Sequence, residues 1–341
     1  MDCVENQFLK EILSTVSVSG RIARVQEVVK KYMEPVSDEI REDEIGDAVC
    51  VLNPEAGSRI LATAHADEIG LVVTCIGEDG RIRAVDRGGI IPKSYLGHQV
   101  QIMTRTGICH GCVAAARPMW DEKELKASAL VIDIGAESRE EAAELGAVGD
   151  TITFDSHIRA LAGGRFTARA LDDRLGVFII MEALKYAKEL GCKNGIYCGA
   201  TAGEETTKNG AYWTAQRVNP DLAVVVDVTY ATDYKGADPA ESGDVKLGRG
   251  PVLLRSPIVS DTLNDRLEAC AKKAGIPVQW EAASRLSYTD ADRIHFAGQG
   301  IPVVLMSIPL RYMHTPAEVA DSRDVENCIR LLGTFFAEGS V

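Results

Sequence analysis

No apolar run in this 341-residue chain approaches the ~20 residues that a membrane-spanning helix needs. The opening stretch, "MDCVENQFLKEIL", has neither the basic leader nor the apolar block of an export signal, so the cytoplasm is the expected compartment. Basic residues are outnumbered, 37 Lys and Arg against 50 Asp and Glu, and a net charge of −13 suits neither a nucleic-acid partner nor an anionic membrane. Aromatic residues are scarce at 6%, and nothing resembles an aromatic sugar platform, which argues against polysaccharide chemistry. A single CxxC pair is present, Cys109 and Cys112 in "CHGC", with no second pair to complete a zinc site. Its surroundings alternate like strands around a turn, and the nine cysteines are read as reduced thiols. Internal repeats and low-complexity segments are absent as well.

What remains is a folded chain, 46% hydrophobic and 26% charged, long enough for about two domains. Two amphipathic helical patterns, "ENQFLKEILSTV" and "RIARVQEVVKKYM", lead into a hairpin-like region and then "RILATAH", a short run suited to a buried strand. From about 71 to 162 the pattern changes to short β-like runs punctuated by turns, with "SREEAAELG" the exception. After "LAGGRFTARALDDRLG" strands and helices alternate: helices at 173–190, 209–217, 262–274, 290–297 and 322–338, and strands at 195–202, 222–227, 277–281 and 302–307. That rhythm predicts an α/β fold with a mostly parallel mixed sheet flanked by helices. Residues 1–70 and 163–341 would form the α/β domain, and 71–162 an inserted small β-rich domain.

In such a sheet ligands bind beyond the carboxyl ends of the strands. There the chain places His65 and Asp67 in "ATAHADEIG", Asp172 and Asp173 in "ARALDDRLG", Glu204 and Glu205 in "GATAGEE", Asp227 in "LAVVVDV", and His314 in "LRYMHTP". Singly, each has a plainer reading: Asp172 or Asp173 as a helix cap, His65 as a hydrogen-bonded structural imidazole, Asp227 as a turn residue. Gathered at one sheet edge, they offer imidazole nitrogens and carboxylates in numbers that suit divalent ions such as zinc, manganese or cobalt. Two ions sharing a carboxylate would need a further carboxylate left free to take a proton. Two adjacent glutamates meet that need, one as ligand and one as base.

Those motifs, in that order, resemble the M42 family of metallo-aminopeptidases, which includes tetrahedral, glutamyl and deblocking aminopeptidases and proteins once labelled cellulase M. The resemblance spans nearly the whole chain, insertion included, and implies a zinc-exopeptidase-like fold with a barrel-like insertion that dimerises. It implies two metal ions, zinc first with cobalt or manganese as alternatives. His65 and Asp227 would bind one ion, Glu205 and His314 the other, and Asp172 would bridge them, followed by a cis peptide to Asp173. Asp67 would support His65, and Glu204 would be the general base acting on a metal-bridging water. The implied reaction removes the N-terminal residue of short peptides, and the implied assembly is a homo-oligomer, from a dimer to a tetrahedral dodecamer. Other readings are a deacylase or carboxypeptidase on the same site, or a non-catalytic assembly protein of the same fold. The chain departs from the family pattern at Gly203, where Gln is common, and at Tyr288 in "SYTDADRIHFAGQGIP", where Gly usually precedes the Thr-Asp pair; both bear on how substrate is held. Asp290 of that block has the plainer reading of a helix cap.

Overall fold

Apolar runs rich in Val, Ile, Leu and Ala become strands buried on both faces, and the computed structural model, which describes residues 3–338, shows how they pair. One sheet has eight strands in the spatial order Glu39–Glu42, Ala48–Leu52, Gly195–Thr201, Arg59–His65, Leu222–Tyr230, Val303–Leu310, Val252–Arg255 and Gln279–Ala282. Gly195–Thr201, Arg59–His65, Leu222–Tyr230 and Val303–Leu310 run parallel, and antiparallel pairs flank them on both sides. The mixed α/β sheet expected from the sequence is therefore present. Its strand Val252–Arg255 was not expected, because three apolar residues between a proline and an arginine carry no periodicity to separate them from a loop. Against the parallel strands lies Leu171–Glu189, buried nearly all round, which packs in turn on the closing helix Ser322–Glu338. The helix expected at 290–297 is a single turn, Ala291–Ile294, followed by Gly298 and Gly300, both with positive φ.

Between Gly70 and Phe154 the chain forms a closed barrel, in the order Gly70–Ile76, Ile82–Arg87, Val131–Asp133, Ile108–Val113, Gln99–Met103, Thr151–Phe154. Leu71, Val73, Ile82, Val100, Ile102 and Ile132 fill it, with Tyr95 stacked on Phe154 at 4.0 Å between ring centroids. Cys109 and Cys112 both lie on Ile108–Val113. Three residues apart on a strand, they face opposite sides and cannot converge on one ion. None of the nine cysteines forms a disulfide. Among the described residues no helix is long and apolar enough to cross a membrane.

A three-stranded sheet, Arg159–Ala160, Arg165–Ala168 and Glu318–Asp321, ties the chain leaving the barrel to the segment after His314. Beside it, at the barrel's entrance, Glu68 is fully enclosed. Its Oε2 accepts from Arg169 Nη1 at 2.5 Å and from the barrel's Thr153 Oγ1 at 2.9 Å. Its Oε1 accepts from Arg174 Nη2 and from the Ser17 N–H at 2.9 Å. Burial works to raise the Glu68 pKa, but the two guanidinium groups reverse that and hold the carboxyl below its ordinary range. One carboxylate thus joins the amino-terminal segment, the barrel and the helix that carries Asp172.

Candidate metal centre

The candidate site residues come from four neighbouring strands or the loops that follow them, and from the start of the helix Leu171–Glu189. His65 closes its strand, and Asp67 follows in the link to the barrel. Glu204 and Glu205 stand in the loop after Gly195–Thr201, where Gly203 takes a left-handed conformation (φ 74) and its carbonyl receives the N–H groups of Thr207 and Lys208. Asp227 lies inside Leu222–Tyr230 rather than just beyond a strand ending at 227, because Val228 to Tyr230 continue to pair with Ile308 to Leu310. His314 sits in the loop past Val303–Leu310.

Asp172 and Asp173 have separated tasks. The Asp173 carboxylate accepts the Gly176 N–H at 3.0 Å, as a helix cap does; a Cβ on Gly176 would stand 2.3 Å from that carboxylate. Asp172 is left free, and the peptide between the two is cis. Its Oδ1 is 3.1 Å from His65 Nε2 and its Oδ2 is 3.2 Å from His314 Nε2, so one carboxylate spans two imidazoles. Both rings are oriented from behind by main-chain carbonyls: His65 Nδ1 donates to Asp67 O at 3.0 Å and His314 Nδ1 to Gly89 O at 2.7 Å. Gly89 permits that approach, since a Cβ there would lie 3.2 Å from His314 Cε1. The Asp67 carboxylate is 3.6 Å from His65 Nδ1 and accepts the Glu204 N–H at 3.1 Å, so Asp67 positions both residues.

The remaining acids close in on this axis. His65 Nε2 is 4.0 Å from both Glu204 Oε2 and Asp227 Oδ1. Donor atoms of His65, Asp172 and Glu205, and separately of His65, Asp173 and Asp227, lie within 4.8 Å of one another. Asp173 enters the second group with one oxygen already committed to Gly176. Among the described residues, buried oxygens of Asp67, Asp173 and Glu205 find no hydrogen-bond partner. Burial first, and neighbouring negative charge next, push Asp227 up to about 8 and Glu205 well above the carboxylate range. Burial works against the charged form of His65, yet Asp172, Asp227 and Glu204 draw its pKa well above normal. Asp172, held by both imidazoles against the pull of burial, stays below its usual range. Positive charge is what this cluster is short of: protons on His65 and His314 occupy directions that divalent cations would take. The orphaned oxygens, two Nε2 atoms and a carboxylate shared between them fit two such ions.

Glu318 carried no signal in the sequence. Fully buried, it accepts the N–H groups of Leu171 (2.7 Å), Asp172 (3.3 Å) and His314 (2.8 Å), which fixes two opposed parts of the cluster to each other. Burial, with the Asp172 charge behind it, raises its pKa to about 8. Lys208 is also new: its Nζ is 3.1 Å from Glu204 Oε1. Asp290 stands at the N-cap of Ala291–Ile294 but its side chain does not cap that turn; its Oδ2 accepts from Thr201 Oγ1 at 2.9 Å behind the glutamate loop.

A cavity of about 840 Å3 opens on Asp172, Glu204, Glu205, Asp227 and His314 and runs on over the sheet towards Glu281. Tyr288 stands at its mouth, 78% exposed and with φ 62, a left-handed backbone conformation that glycine adopts more readily than tyrosine.

Comparison with known proteins finds relatives over nearly the whole chain. A family model described as M42 glutamyl aminopeptidase matches residues 46–331. Lysyl aminopeptidase from Pyrococcus furiosus is 31% identical over 98% of this chain and 97% of its own. Among solved structures, a TET aminopeptidase from a marine sediment archaeon of the Thaumarchaeota superposes with a TM-score of 0.91 at 34% identity, covering 97% of this chain and 95% of that one. The TET1 peptidase of Pyrococcus horikoshii, described as assembling into a tetrahedron or a large octahedral shell, gives 0.86 at 31%, covering 97% and 99%.

Proposed function

This chain belongs to the M42 glutamyl aminopeptidase family, a family of peptide hydrolases, and from that premise we propose that it is a two-metal aminopeptidase releasing the N-terminal residue of short peptides. The observation that carries the reading is Asp172, one imidazole on each oxygen, at the head of a cavity large enough for a peptide end. His65, Asp172 and Asp227 would hold one ion, and Asp172, Glu205 and His314 the other, zinc being the first choice and cobalt or manganese the alternatives. Bound there, such ions supply carbonyl polarisation and a water of lowered pKa.

The chain's own part in the reaction is proton handling and positioning. Glu204 takes a proton from the attacking water and returns it to the leaving amine. Burial raises the Glu204 pKa against the opposing pull of His65 and Lys208, which makes it a stronger base than an exposed glutamate. The Asp67 contact holds its backbone, and Lys208 restrains Oε1 while Oε2 faces His65. Glu318 keeps the His314 loop against the start of the Asp172 helix.

Chelation should remove hydrolysis of aminoacyl-p-nitroanilides, and zinc, cobalt or manganese should restore it. Full activity in protein shown by elemental analysis to be free of metal would sink the reading. Running N-acetylated and C-terminally truncatable peptides in the same assay separates an aminopeptidase from a deacylase or a carboxypeptidase.

Residues 71–162 act, in this reading, as the dimerising module of a homo-oligomer. The shells described for the Pyrococcus horikoshii peptidase support it, as do apolar side chains left on this region's surface, Ile91 and Trp120 among them. Light scattering at micromolar concentration should give a multiple of the chain mass; a monomer would overturn this assignment. Nine cysteines without a disulfide favour a reducing compartment such as the cytoplasm.

A further inference from the structure

Beyond the metal cluster, the cavity floor is one face of the sheet, and strand register dictates which side chains form it. Asp227 pairs with Ser307, and side chains two residues apart share a face, so Thr229 and Leu305 stand on the same side. Val252 also pairs with Ser307, which brings Leu254 to that face, and Leu254 is in register with Glu281. Thr229, Ser307, Leu305, Leu254 and Glu281 all line the cavity. The floor therefore starts at the metal-side carboxylate of Asp227, passes two hydroxyls and two leucines, and ends in a second carboxylate.

That carboxylate is 8% exposed. Thr229 Oγ1 donates to Oε2 at 2.5 Å and Ser307 Oγ to Oε1 at 3.5 Å, and among the described residues no Lys, Arg or His pairs with it. Arg285 lines the same cavity but is exposed at its rim, whereas Arg255 faces away, its guanidinium over the Trp280 ring at 4.3 Å. Two neutral hydroxyls are thin compensation for an enclosed carboxylate, whose burial costs far less when a cation faces it. Thr229 is two residues beyond Asp227, about 6.6 Å along the strand. An N-terminal residue anchored beside Asp227 thus meets leucine surface along its stem and a negative group at its tip. The four-carbon stem of lysine, or the somewhat longer arginine, matches that path in length and in character.

We propose that Glu281 selects peptides whose N-terminal residue has a long cationic side chain, lysine or arginine. The inference rests on the aminopeptidase reading above and names the substrate class of that site. Its test is a panel of Lys-, Arg-, Leu- and Glu-p-nitroanilides with the metal-loaded full-length protein. Lys and Arg should exceed Leu in kcat/KM by on the order of tenfold or more, with Glu the poorest. Glu281→Gln keeps the shape and the hydroxyl partners, and should bring the Lys-to-Leu ratio towards one. A second measurement needs no variant: free lysine should inhibit the unmodified enzyme at least about tenfold more strongly than norleucine, which has the same stem without the ammonium. A wild-type preference for Leu or Glu, an unchanged ratio in Glu281→Gln, or equal inhibition by the two amino acids would overturn the assignment of Glu281 alone. Hydrolysis of none of the four substrates with zinc, cobalt or manganese would overturn the aminopeptidase reading itself, and this inference with it.

Discussion

Replacing Glu204 by Gln should lower kcat on a good aminoacyl-p-nitroanilide by ~10²–10⁴-fold, with metal content and melting temperature unchanged. The amide is the same size, and the contact that positions this residue uses its backbone N–H, which the substitution leaves on Asp67. What disappears is the basic oxygen. Because the proton is moved in the transition state, the loss should fall on kcat, with KM nearly constant. Glu205→Gln should behave differently, since a ligand loses metal affinity: activity should recover partly as the metal concentration is raised. Near-normal turnover in Glu204→Gln would require another base, and among the described residues the other acids so close to His65 Nε2 are Asp172 and Asp227, both assigned to the ions.

Arg174→Met should cost ~3–5 kcal/mol of stability, because it strands the Glu68 carboxylate with one guanidinium where it had two. Arg174 is fully buried and also donates to the carbonyls of Ile12 (3.0 Å) and Leu13 (3.4 Å), so its loss leaves the end of the first helix unsatisfied as well. Scanning calorimetry of the metal-loaded protein should show a melting temperature lower by about 6 °C or more. A shift within about 2 °C would mean that water or Arg169 compensates Glu68, and that the network matters less than its burial suggests.

These two residues also mark how far the sequence could be read. Glu204 was legible because it follows an apolar strand in a parallel sheet, where the fold exposes side chains to ligands, and because a second glutamate beside it has no structural purpose. His65 and Asp172 share that logic. Glu68 stands in the same conspicuous motif as His65, but its partners Arg169 and Arg174 are 101 and 106 residues away, and no local pattern announces such a pairing. Glu318 was hidden for the same reason, meeting Leu171 across 147 residues. Glu281 was hidden differently. Its place in the cavity depends on the register of Val252–Arg255, a strand too short to predict, so a residue that looks ordinary in the chain became visible only once four strands were aligned. Local signals located the strand ends, whereas the groups that brace them or line the floor depend on long-range pairing.

The hydrogen bond from His314 to the Gly89 carbonyl joins two regions made at very different times. Gly89 follows the second barrel strand, Ile82–Arg87, and His314 comes near the end of the chain. Until both are folded and docked, nothing fixes which nitrogen of His314 carries the proton, and its Nε2 is not reliably offered to the carboxylate cluster. If His314 is a metal ligand as proposed, a nascent chain, or one whose barrel has yet to close, would lack that ligand in its working orientation.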